Sequence, residues 1–249
     1  MQFRVVDLLL FALMFVFVVS FPVDLIPVAD TYRTIIMVGL RLIVLTYYIY
    51  IIHRNRIKIF GVASIKNALL CLPFALISFS NFTASWVDGG FNGVSMTTID
   101  FVLAVIMSLL TAIIEEIVFR LFIQNALINT STLRRILGSA AIFALMHLLN
   151  LVSVRYVSQL VAVLEQAVYA FGLGLLLGIL YEYSHSLTAA IVIHFIFNFF
   201  NQTLYVYLGG YCSDLAYYLS AIIYAVVVGI YAVLIVLLYF QRRNRYFRS

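Results

Sequence analysis

Runs of apolar residues follow one another from Val5 to Phe240, separated only by short polar breaks. A spanning α-helix needs about 20 such residues. Hydrophobic residues make up 65% of the 249 and charged residues 10%, against about half and about a quarter in an ordinary soluble domain. No soluble core could absorb that excess, so the chain reads as an all-α polytopic membrane helix bundle of about eight transmembrane helices. The expected spans are Val5–Val28, Thr34–Ile52, Ala68–Phe79, Phe101–Ile123, Ile136–Val152, Val157–Tyr181, Leu187–Leu208 and Leu215–Phe240. Pro22 and Pro27 end the first early, and the short third carries Pro73. Arg4 before an apolar run resembles a signal sequence, but the run is long and no A-x-A pattern follows, so an uncleaved first helix is expected.

The net charge of +5 does not call for nucleic acid as a partner, because the basic residues cluster between apolar runs as the positive-inside bias requires. Placing both termini in the cytoplasm puts Arg4, the group Arg54, Arg56, Lys58 and Lys66, the pair Arg134 and Arg135, and the tail Arg242, Arg243, Arg245 and Arg248 on the inner side. Only Arg33 and Arg155 fall outside, where Asp24, Asp30, Asp88 and Asp214 also lie and Trp86 can anchor the interface. The Gly, Asn and Ser content of Ser85–Thr98 marks an outer loop. Cys71 and Cys212 have neither disulfide nor zinc spacing and read as packing residues. Gly174 and Gly178, with Gly172 nearby, form a G-x-x-x-G along which a neighbouring backbone can approach.

Charged side chains inside hydrocarbon cost a few kcal/mol each, so by default they mark function or a paired network. Three spans carry such groups: Glu115, Glu116 and Arg120; Phe143 and His147; His194 and Asn198. Residues four apart share a helix face and adjacent ones point about 100° apart. Glu116 can therefore pair with Arg120, leaving Glu115 to face elsewhere as the carboxylate free for chemistry. His194 and Asn198 share a face, and Phe143 lies one turn from His147 as a pocket wall. At about 1.5 Å per residue, Glu115, His147 and His194 all fall roughly 10 to 17 Å from the cytoplasmic boundary. A purely structural polar cluster is the competing explanation. His53 and His185 sit at predicted span edges and need no role. Arg41 can snorkel, pair with an acid such as Glu165, or line an access path.

The ordered set E-E-x-x-x-R at Glu115–Arg120, F-x-x-x-H at Phe143–His147 and H-x-x-x-N at His194–Asn198 resembles the CPBP family of intramembrane peptidases, named for CAAX protease and bacteriocin-processing enzymes and also called the ABI family. The resemblance implies a division into N-terminal transmembrane helices (1–100), a catalytic membrane core (101–208) and a C-terminal helix with a basic cytoplasmic tail (209–249). It implies an integral protein of a bacterial cell membrane that hydrolyses peptide bonds of membrane-associated peptides or proteins near the cytoplasmic face. Glu115 would be the general base activating water, His147 would help position that water, and His194 with Asn198 would stabilise the oxyanion. Glu116, Arg120 and Phe143 would support them. No cofactor is favoured, although Glu115, His147 and His194 are also a two-histidine, one-carboxylate set suited to zinc; the H-E-x-x-H spacing of zinc peptidases is absent. The alternative function is non-enzymatic: a bacteriocin self-immunity or membrane-interaction protein that binds a peptide or partner helix. A proton-coupled transporter is disfavoured, because no inverted repeat is visible. The substrate stays open between a prenylated CAAX protein, a bacteriocin leader and others.

Overall fold

Backbone amides in hydrocarbon must be paired within their own segment, which leaves helices as the simplest spanning form. The computed structural model describes residues 27–57, 84–184, 186–211 and 213, with the isolated positions 11, 14, 226, 229, 230, 233 and 237. Every regular element among the described residues is helical, and β pairing is limited to a single bridge between Phe91 and Gly210. Five helices are long and apolar enough to cross a membrane. They are α1 (Asp30–Arg54), α2 (Thr98–Glu116, continuing to Gln124), α3 (Thr132–His147, continuing to Val152), α4 (Val157–Ser184) and α5 (Leu187–Asn198, continuing to Tyr207). They coincide, within a few residues, with the expected spans that begin at Thr34, Phe101, Ile136, Val157 and Leu187. The expected spans Val5–Val28, Ala68–Phe79 and Leu215–Phe240 lie almost wholly outside the described residues, as do Cys71, Cys212 and His185.

Local sequence sets where these helices begin. The Thr97 side chain accepts a hydrogen bond from the Asp100 amide at the start of α2, Ser131 does the same for Arg134 in α3, and Ser186 for Ala189 in α5. Each satisfies one of the amides that a helix N-terminus leaves unpaired. No proline interrupts α1 to α5. The winding nevertheless changes twice, to π-helix at Ile117–Gln124 directly after Glu116 and at Phe199–Leu204 directly after Asn198. Such wide turns are rare and recur at functional sites.

The cross-helix contacts give the directions. Thr31 bonds Asp100, Arg41 bonds Thr111 and the Tyr48 ring meets Phe122, so α1 runs parallel to α2. That brings Arg54 and Arg56 to the same end as Arg134 and Arg135, while Asp30, Asp88 and Asp100 lie toward the opposite end. At that opposite end the Ser213 amide donates to Asp88 at 2.6 Å, holding its carboxyl below the usual range. Glu116 meets His194 and Ser108 meets Thr203, so α5 is antiparallel to α2. The core is apolar: Phe11, Tyr48, Phe119, Phe122, Phe143, Leu173, Leu176 and Phe197 are all buried. Outward faces are apolar too, with Ile43 64% and Leu145 61% exposed, as a lipid-facing surface requires.

The glycine pair in α4 does what its spacing suggests. A Cβ on Gly174 would lie 3.0 Å from the Ala140 Cα in α3, and one on Gly178 would lie 3.3 Å from the Ile136 side chain. Gly39 in α1 has nothing within 4 Å. Gly174→Ala should therefore lower the stability of the detergent-solubilised protein by about 1–3 kcal/mol through overpacking, whereas Gly39→Ala should leave it unchanged or slightly raised. Thermal unfolding of the two variants side by side checks this.

Candidate active site

An arginine with no exposed surface sits at the centre of the bundle. Arg120 donates from Nε to Glu116 Oε2 at 3.0 Å, and both side chains are 0% exposed. Its Nη1 donates to Ser139 Oγ at 3.0 Å, and Ser139 in turn donates to the Phe119 carbonyl at 2.7 Å. The guanidinium lies over the Phe143 ring, 5.6 Å from the centroid, a favourable cation–π distance. Glu116 holds a second partner, because its Oε1 lies 2.8 Å from His194 Nδ1. The other ring nitrogen, Nε2, is 3.4 Å from Glu115 Oε2, close but outside hydrogen-bond geometry. His194 is thus held between adjacent carboxylates of α2, one turned to the ion pair and one toward open space.

That space is a cavity of about 100 Å³ lined by Thr111, Glu115, Phe143, His147, His194 and Asn198, together with α4 residues that include Gln166 and Tyr169. It is large enough for a few water molecules. Its polar groups are ready for a ligand. Glu115 is 6% exposed and Asn198 7%, and the Asn198 amide makes no side-chain hydrogen bond among the described residues. His147 Nδ1 is engaged with the Phe143 carbonyl at 2.8 Å, which leaves Nε2 for other work. The Phe143 ring stands edge-on to His147 at 4.7 Å and to His194 at 5.9 Å, fixing both imidazoles.

All seven residues singled out by motif therefore converge, with Glu116 and Arg120 paired behind the cavity and the others around it. Residues 96–200 match the family of type II CAAX prenyl endopeptidases described as Rce1-like. The match falls on the segment whose motifs resemble the CPBP family. No curated protein and no solved structure matches the chain. The Rce1-like segment begins at the cap of α2 and ends just after Asn198, so it includes every site residue named above. It supports a protease embedded in the bilayer, of the CAAX-type endopeptidase class, acting on a peptide. Among the described residues no three His, Cys, Asp or Glu side chains are gathered to hold a metal ion.

Several contributors carry no motif. Ser139 lies one and two turns before Phe143 and His147 on the same face of α3, so the helical period alone is enough to find it. Arg41 is tied to Thr111, and the charge of Glu115 acts on it; nothing local to either residue encodes that. Gln124 bonds the Gly178 carbonyl and Glu182, which pairs with Arg135, extending the polar network to one end of the bundle.

Removing one member of a buried ion pair leaves the other charge uncompensated. Arg120→Leu should cost about 3–5 kcal/mol and reduce the monodisperse, folded fraction seen by size exclusion in detergent. The double variant Arg120→Leu/Glu116→Gln should recover part of that fraction, and Ser139→Ala should be the mildest, at about 1–3 kcal/mol.

Proposed function

We propose that this chain is a glutamate-dependent intramembrane endopeptidase that cleaves a membrane-anchored, CAAX-type peptide near the cytoplasmic face. The observation that carries the reading is the grouping of Glu115, His147, His194 and Asn198 around one small buried cavity, with Glu116 and Arg120 closed off behind it. The cytoplasmic assignment rests on Arg54, Arg56, Arg134 and Arg135 sharing one end of the bundle.

In this reading Glu115 takes a proton from a water in the cavity while that water attacks the scissile carbonyl. His147, anchored through Nδ1, orients the water with Nε2. With Nδ1 facing Glu116 and Nε2 facing Glu115, His194 is placed to donate toward each carboxylate. As Glu115 gains the water proton its hold on His194 weakens, and the Nε2 proton can turn to the developing oxyanion. The Asn198 amide supplies a second donor, and fixed donors in a water-poor site act strongly on such charge. Glu115 then returns its proton to the leaving amine, which completes hydrolysis. In the competing form zinc would be held by Glu115, His147 and His194, side chains that are not gathered around a metal position in this structure.

With a farnesylated, fluorescence-quenched peptide ending in a CAAX sequence as the probe, Glu115→Gln should lower kcat by about 10²–10⁴-fold. Asn198→Ala should lower it by about 10²–10³-fold. Wild-type rates in folded Glu115→Gln protein would remove Glu115 from the mechanism.

Chelation should leave the activity of purified protein intact, and elemental analysis of the active fraction should find zinc far below one ion per chain. Loss on chelation with recovery on adding zinc back would favour the metal form.

A further inference from the structure

Thr111 gives the cavity a polar wall that none of the family motifs accounts for. Thr111 lies one turn before Glu115 on α2, so the two side chains share a face, and Thr111 lines the same cavity. Its Oγ1 accepts a hydrogen bond at 3.2 Å from Nε of Arg41, a half-buried cation on α1. Among the described residues Thr111 makes no other side-chain hydrogen bond. A hydroxyl has one proton to give and two lone pairs to receive with. With a guanidinium on a lone pair, the proton is left to donate, and a charged donor behind it polarises the O–H bond and makes it a stronger donor. Arg41 lies outside the matched segment 96–200, so this device is supplied by a helix the family match does not include.

We propose that Thr111 is a third oxyanion donor, a catalytic residue whose hydroxyl bonds the scissile carbonyl oxygen beside Asn198 and His194, and that Arg41 is the positioning residue that aims it. The proposal rests on the hydrolytic reading of Glu115. It also meets a need of that reading: both nitrogens of His194 face carboxylates at rest, whereas Asn198 and Thr111 are donors open to a carbonyl before Glu115 is protonated.

The test is steady-state cleavage of the farnesylated CAAX peptide by full-length protein in proteoliposomes, with thermal stability recorded for each variant. Thr111→Val keeps the shape and removes the hydroxyl; its kcat should fall by about 10- to 100-fold, within the range for losing one oxyanion donor, with KM little changed. Thr111→Ser should restore most of kcat. Arg41→Met should lower kcat less than Thr111→Val, and the double variant should be no slower than Thr111→Val alone, as coupled residues require. If Glu115→Gln is inactive but Thr111→Val keeps wild-type kcat, the Thr111 assignment is wrong and the hydrolytic reading stands. If Thr111→Ser fails as fully as Thr111→Val, or the Arg41 and Thr111 effects simply multiply, the assignment is likewise overturned. If Glu115→Gln is fully active, the hydrolytic reading itself fails, and the proposal with it.

Discussion

Burying a guanidinium in the middle of a membrane bundle is the constraint around which the rest of this structure is arranged. An arginine at the centre of a spanning helix costs about 2.5–3.5 kcal/mol even on the lenient insertion scales. Arg120 is kept there by a carboxylate four residues away, a serine from α3 and the face of Phe143. Because Glu116 is committed to this pair, its remaining oxygen is fixed in direction, and that direction fixes His194. One ion pair thereby ties α2, α3 and α5 into a single geometry.

The orientation of the candidate base follows from the same arrangement. Adjacent residues on a helix cannot both face the ion pair, so Glu115 is turned toward the cavity. The close approach of α4 closes the far side, with Gly174 against Ala140. The π-helical turns after Glu116 and Asn198 begin where the polar residues of α2 and α5 must meet neighbours on more than one side. A wider turn alters the angular spacing of side chains without breaking the helix.

Much of the site is legible in the sequence. The Glu116–Arg120 pair, the outward turn of Glu115, the shared face of His194 and Asn198 and the wall formed by Phe143 all follow from helical spacing. Helical spacing is local and survives in the folded chain. The division of polar roles within the cavity is less legible. The motif pattern directs His194 to the substrate, whereas the fold holds it between two carboxylates, because Glu115 and Glu116 approach it from another helix along separate directions. Thr111 is one more hydroxyl in an apolar run until the fold brings Arg41, 70 positions earlier, to bond it.

By itself, the sequence determined that the chain crosses the membrane repeatedly as helices, since hydrocarbon tolerates few unpaired backbone groups and this composition leaves little alternative. It also determined where five of those helices lie and which charged residues must find partners. Only the tertiary structure decided who those partners are: α1 parallel to α2, Arg41 on Thr111, Ser139 on Arg120, and one cavity common to Thr111, Glu115, His147, His194 and Asn198. The reason is geometric. Periodicity assigns a side chain to a face of its own helix, but the distance and rotation between two helices are set by packing, here the contact of Gly174 with Ala140 and the demand of a buried charge for every neighbour it can reach.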